Sequence, residues 1–166
     1  SRYGACLIES WNRPEFRNEP GRWRQIQLLK CIVEDLPLER NRVALSTEHP
    51  DKPVLHFESR SDYAMRGIAA LDEALPRILE KLPVERVEIK RPVNVTEAHV
   101  LGTTVMGDDP SDSVIDGDLV HHRVRNLIVV GSGAFPTGAP ANPSLTISAL
   151  ALRAAEHQHR PGGRSS

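Results

Sequence analysis

The 166 residues carry 21 Lys+Arg against 22 Asp+Glu, a formal net charge of -1, so no basic excess steers the chain toward nucleic acid. Hydrophobic residues make up 39% and aromatics 4%, enough for one ordinary core and inconsistent with a disordered chain. No apolar run is long enough to span a bilayer, and Cys6 and Cys31 alone support neither a disulfide framework nor a cysteine-rich zinc site.

The opening "SRYGACLIESW" has no Met, no signal-peptide core and no targeting pattern. It is the start expected of a processed product or a piece of a longer protein, and the compartment is not legible from it. Residues 1–24, with Pro14 and Pro20, read as irregular apart from a short strand at "ACLIES". "QIQLLKCIVE" (25–34) mixes alternating and continuous apolar residues and predicts a strand. "DLPLERN" predicts a turn, "RVALS" (42–46) a second strand and "VLHFES" a third.

From Ser61 the pattern becomes helical. Ile68, Leu71, Leu75, Ile78, Leu79 and Leu82 make one stripe, Ser61 or Asp62 can cap its start, and Pro76 is expected to kink or split it. "VERVEIK" then alternates like a strand, so this part has an α+β order.

Beyond residue 96, "TEAHVLGTTVMGDDPSDSVIDGD" is small, acidic and aperiodic. "NLIVV" (126–130) is a continuous apolar run, as expected of a strand buried on both faces. The loop "GSGAFPTGAPA" leads to Asn142-Pro143, which should open a helix: Asn is a good cap, and Pro is favoured in the first turn. Leu145, Ile147, Ala149, Leu150, Ala151, Leu152, Ala154 and Ala155 leave that helix little polar face and predict that it is buried, N-terminus included. Such an end carries unpaired N–H groups and partial positive charge. Either an acceptor-rich ligand meets it, or Asn142 and a loop carbonyl satisfy it. The tail "HQHRPGGRSS" is expected to fray.

Taken singly, the polar motifs are weak. Gly131 and Gly133 are followed by Pro136 where the third glycine of a dinucleotide fingerprint would fall, and Ser132 lies in no G-x-S-x-G elbow. His121, His122, His157 and His159 read as structural or surface histidines, and none has zinc spacing. Asp108, Asp109, Asp112, Asp116 and Asp118 suggest a calcium loop only faintly: counting from Asp112, Val114 falls third and Arg123 twelfth. No metal site is expected.

Taken together and in order, "EAHVLGTTVMG" and "NLIVVGSGAFPTGAPANPSLTISALALRAAEH" resemble the C-terminal signature of the glucose–methanol–choline (GMC) flavoprotein oxidoreductases. That signature runs from a histidine through Gly-Thr and Met-Gly, a buried strand, a Gly/Ser loop with Phe-Pro-Thr, and Asn-Pro-Ser/Thr opening an apolar helix. The likeness covers residues 96–157. It extends more loosely over 32–90, where "EDLPLERNRVALS" is similar to the strand-turn-strand before the family's long substrate-domain helix.

The resemblance implies residues 1–95 as part of a substrate-binding domain. It implies 96–160 as the catalytic loop and the strand–loop–helix that completes an FAD-binding domain, with 161–166 as tail. The motif that holds the ADP half of FAD in the family is missing from this sequence, so a C-terminal part of a longer enzyme is implied. FAD would be the cofactor, and an alcohol, sugar or polyol the substrate. His99 matches the family's base, since an imidazole titrates near working pH and can take a hydroxyl proton. Asn142 stands at the second catalytic position and would orient the substrate oxygen. Gly131, Ser132, Gly133, Ala134, Asn142, Pro143 and Ser144 would face the flavin. The final helix would direct its N-terminus at the pyrimidine edge, where hydride transfer to N5 builds negative charge at N1 and O2. An acidic residue frequent beside the family's Gly-Ser loop is absent from Gly131-Ser132-Gly133. The alternative is a non-catalytic structural or interaction piece of the same fold that does not bind FAD alone.

Overall fold

The computed structural model describes residues 2–11, 14, 18, 20–90, 93–94 and 98–159. Of the tail expected to fray, residues 157–159 are helical, and the rest of it and the expected boundary at residues 95–96 lie outside the described residues.

Strand β1 (Cys6–Ser10) pairs antiparallel with β2 (Leu29–Val33), from Cys6 opposite Val33 to Ser10 opposite Leu29. Strand β3 (Arg42–Leu45) pairs antiparallel with β4 (Pro53–His56) in a separate two-stranded sheet, with Val43 opposite Leu55. The strands expected at "ACLIES", 25–34, 42–46 and "VLHFES" are all present, with their ends trimmed or shifted by a few residues.

Helix α1 (Asp62–Leu79) starts as its sequence requires. The Ser61 hydroxyl accepts the Ala64 N–H at 3.1 Å and donates to Asp35 Oδ1 at 2.6 Å. Asp35 Oδ1 also accepts the N–H groups of Ser61 and Leu36, so one carboxylate ties the helix cap to the loop after β2. The helix then lies against β2 through small residues. Ala64 is buried, and a Cβ on Gly67 would stand 2.7 Å from Val33 Cγ1, an approach only glycine permits. Pro76 does not split α1. It sits in the last turn, where its missing N–H removes a single bond, and its carbonyl still accepts the Glu80 N–H at 2.9 Å. The stripe is buried only in part, since Ile78 and Leu82 are exposed.

The strand expected at "VERVEIK" does not form, and Val84, Val87 and Ile89 are exposed. Alternation needs a partner strand, and among the described residues none pairs with it.

The half beyond residue 98 is built with almost no regular structure before α2 (Ser144–His159). Isolated bridges join Met106 to Ile115, Ile115 to His121 and Val120 to Ile128. Around them Ile115, Leu119, Ala134 and Ala154 form a small core, with Met106, Val114, Val129 and Leu150 packed against it. A further bridge, Asp35 to Gly138, joins this half to the loop after β2.

Two expectations are corrected by the packing. Residues 126–130 are not a strand buried on both faces. Only Val129 packs inward, its N–H donating to Leu119 O at 2.9 Å, while Leu127, Ile128 and Val130 are exposed. Helix α2 is not buried all round either: Leu145 is 83% and Leu152 66% exposed, and Asn142 and Ser144 at its start are exposed. Both segments have the apolar content of buried elements, but each meets its neighbours on one side only. Two antiparallel strand pairs and two helices make an α+β arrangement. Among the described residues no helix is long and apolar enough to cross a membrane.

Candidate active site

His99 is half-buried, directly after Ala98, which holds the left-handed conformation at φ 65°. His99 makes no hydrogen bond among the described residues. The chain beyond it runs into Gly102 and Thr103, also left-handed at φ 87° and 79°. A branched residue rarely adopts that conformation, so the turn is held by what it docks against.

The docking partner is the Gly/Ser loop. Gly102 N–H donates to Ser132 O at 3.2 Å, Thr104 N–H to Gly133 O at 3.2 Å and Met106 N–H to Ala134 O at 3.0 Å. The histidine motif and the loop leading to Asn142 are thereby joined by three backbone hydrogen bonds, although Ser132 is 30 positions beyond Gly102. Leu101 adds a contact to the same loop, since a Cβ on Gly138 would stand 2.7 Å from its Cδ1.

Within the loop, Ser132–Ala134 form one 3-10 turn. Ala134 is spent structurally: its side chain is buried, its N–H donates to Gly131 O and its carbonyl accepts from Met106. The N–H groups of Gly131, Ser132 and Gly133 have no acceptor among the described residues. Helix α2 contributes donors of the same kind. Its first bond back is Ile147 N–H to Pro143 O at 2.9 Å, so the N–H groups of residues 144–146 remain available, and no cap bond from Asn142 satisfies them among the described residues. The set is all donors, suited to an acceptor-rich or negatively charged group.

Three other histidines make structural contacts. His121 Nδ1 accepts the N–H groups of Arg123 and Val124 at 3.1 and 3.0 Å, which places its proton on Nε2. His122 Nε2 lies 2.8 Å from the Ser113 hydroxyl, which itself donates to Asp109 O, so the imidazole donates. His157 Nδ1 meets Asp118 at 3.2 Å.

The acidic run is likewise a scaffold. Among the described residues no group of His, Cys, Asp and Glu could hold a metal ion. Asp116 Oδ1 accepts the N–H groups of Asp118 and Val120, both at 3.0 Å, and Oδ2 meets Arg125 at 2.9 Å. Desolvation raises the Asp116 carboxyl, but the Val120 N–H, Arg125 and the Asp118 N–H outweigh it and hold the group below the usual 3.8. This turn forces Leu119 into the left-handed region at φ 65° and drives its side chain into the core. Calcium spacing says nothing of this role for Asp116. The signal that does is Asp-Gly-Asp at 116–118, a sequence that favours turns.

The GMC oxidoreductase family pattern matches residues 37–151, more than half of the chain and both docked motifs. The chain belongs to the GMC oxidoreductases. It is 33% identical over 161 residues to paromamine 6'-oxidase of Streptomyces fradiae, covering 92% of this chain and 29% of that protein. It is 32% identical over 127 residues to the fructose dehydrogenase large subunit of Gluconobacter japonicus, covering 74% of this chain and 23% of the relative. The 2-methyl-1,2-propanediol dehydrogenase of Mycolicibacterium austroafricanum is 33% identical over 135 residues, 76% of this chain and 24% of the relative. This GMC chain thus spans less than a third of the length of these relatives, which are oxidases and dehydrogenases of a flavin-dependent family.

Proposed function

We propose that this GMC chain is the C-terminal part of an FAD-dependent oxidoreductase that oxidises a CH–OH group of an alcohol, sugar or polyol. Residues 1–95 belong to its substrate-binding domain, and 96–160 complete its FAD-binding domain. The observation that supports this most is the three-bond docking of the His99 segment on the loop that leads through Asn142 to a helix start whose first N–H groups have no acceptor among the described residues.

The residues present suit the flavin's isoalloxazine side. The N–H groups of Gly131, Ser132 and Gly133 offer donors, Ala134 anchors the loop, and Asn142, Pro143 and Ser144 present the start of α2. A flavin held there would supply the acceptor for the hydride that leaves the substrate carbon. His99 takes the hydroxyl proton as the C–H bond breaks, a transfer suited to an imidazole that no described residue engages. Asn142 orients the substrate oxygen and cannot itself take the proton. The first turn of α2 stabilises negative charge that develops close to its N–H groups. Nothing among the described residues holds an adenine or ribose, so this chain by itself should bind FAD weakly or not at all. Micromolar or tighter affinity, measured by fluorescence quenching, would show the cofactor misplaced.

The deciding experiment is anaerobic stopped-flow on the complete flavoenzyme containing this chain. His99→Ala should keep its flavin and slow flavin reduction roughly 10²–10⁴-fold, the usual range for a lost general base. Asn142→Ala should slow reduction less and leave melting nearly unchanged, because no cap bond is lost. Reduction at the wild-type rate in His99→Ala would favour the alternative, a non-catalytic piece of the same fold.

A further inference from the structure

The two glycines of "GSGA" look equivalent in sequence, yet they serve different ends. Gly131 has φ 118°, a conformation that favours glycine, and a Cβ there would meet nothing within 4 Å. Gly133 needs no left-handed backbone. Its constraint is space: a Cβ would run into Thr104 Oγ1 and would stand 3.3 Å from Gly102 O and 3.6 Å from Thr104 Cβ. The hydrogen of Gly133 therefore makes room for Thr104, whereas Gly131 faces open space.

We propose that Thr104 and Gly133 are a positioning pair that sets the distance between the His99 segment and the flavin-facing loop. The inference rests on the reading of His99 given above. Thr104 is the residue whose N–H bonds Gly133 O, and the flanking bonds, Gly102 to Ser132 and Met106 to Ala134, fix the two segments in register. The loop cannot yield, because Ala134 is sealed in the core and Met106 packs on the same core. Rotation of Thr104 gives limited relief, since branching at Cβ turns a hydroxyl or a methyl toward Gly133 in two of the three staggered χ1 positions. An added methyl at Gly133 therefore presses on the Thr104 side chain and on Gly102 O, and the left-handed Gly102-Thr103 turn carries that shift toward His99. A displacement near 1 Å is enough to cost about 10²-fold in a positioned reaction.

The test uses the complete flavoenzyme with Gly133→Ala, Thr104→Ala and the double variant. Gly133→Ala should retain flavin and lower the flavin-reduction rate roughly 10–100-fold, with KM little changed. In the flavin-free protein, amide exchange of residues 102–106 should quicken. Thr104→Ala removes the obstructing oxygen, so the double variant should recover most of the rate and the slow exchange. Thr104→Ser keeps the oxygen but loses the branch, so it should rescue Gly133→Ala less than Thr104→Ala does. If Gly133→Ala fails to fold, the double variant still decides: folding with a near-wild-type rate supports the pair, and failure to recover overturns it. Wild-type reduction in Gly133→Ala overturns the proposal, and so does flavin loss that Thr104→Ala does not restore, which would assign the space to the flavin. A slow His99→Ala beside a normal Gly133→Ala sinks this inference and leaves the catalytic reading standing.

Discussion

The β3–β4 hairpin and the knot around Ile115 are built on opposite terms. The hairpin has a regular antiparallel ladder, yet Leu45 and Leu55 are each 80% exposed. The knot has only isolated bridges and an Asp116-centred turn, yet Ile115 is fully buried and Leu119 nearly so. A ladder satisfies backbone groups whether or not anything covers its side chains. Burial requires a second layer, and the knot obtains one from the Gly/Ser loop and α2. Full burial of a side chain such as Ile115 contributes about 1.5–3 kcal/mol that exposed Leu45 forgoes.

The sharpest way to break this comparison is to truncate both sides. Ile115→Ala should destabilise by about 2–5 kcal/mol, through lost transfer energy and a cavity that rigid turns cannot close, whereas Leu45→Ser in the same chain should stay within about 0.5 kcal/mol. Urea unfolding of the two variants checks it, and equal losses would mean that the hairpin is covered after all. In the complete enzyme Leu45→Ser should become costly if the remaining polypeptide packs on that face.

A polar anchor ties α1 to the loop after β2. Ser61→Ala removes both the α1 cap and a bond to Asp35, and should cost about 0.5–2 kcal/mol by thermal melting.

A smaller effect separates the two regions by pH. The native Asp116 carboxyl lies below the usual 3.8, so its contribution is fully present above that value. It is lost as pH falls through the lowered native value, because the unfolded chain takes the proton first. Asp116→Asn should flatten this acid limb in urea midpoints measured against pH, and an unchanged slope would remove Asp116 from the knot's support. The strands show the opposite sign. Burial, then repulsion from Cys31 and a hydrogen bond with it, push Cys6 up to about 11 from 9.0. Its contribution is present below 9.0 and fades as pH rises toward 11. The smallest effect follows: Cys6 should alkylate more slowly in the folded chain than in urea at mildly alkaline pH, and equal rates would mean that β1–β2 opens freely.

Legibility follows the range of the interactions. The α1 start is readable because a cap spans three residues, from Ser61 to Ala64. Four strands are readable from their runs of apolar residues. "VERVEIK" misleads because alternation describes one strand and says nothing of a partner, and "NLIVV" misleads because an apolar run describes a demand for cover. The His99 and Asn142 motifs are legible as a family pattern. The Thr104–Gly133 contact is not, since nothing local marks a glycine whose missing Cβ serves a residue 29 positions away.

By itself the sequence determined the local devices: the Ser61 cap, the start of α2 directly after Asn142-Pro143, the strand segments and the order of the GMC motifs. These depend on dihedral preference and on hydrogen bonds a few residues long. Only the tertiary structure decided that an irregular acidic stretch would become the best-buried part of the described residues. It also decided that α2 would leave Leu145 and Leu152 in the open, and that Gly133 would give its space to Thr104. Burial and close approach are properties of surfaces brought together from distant positions, and composition states only how much apolar surface there is to cover.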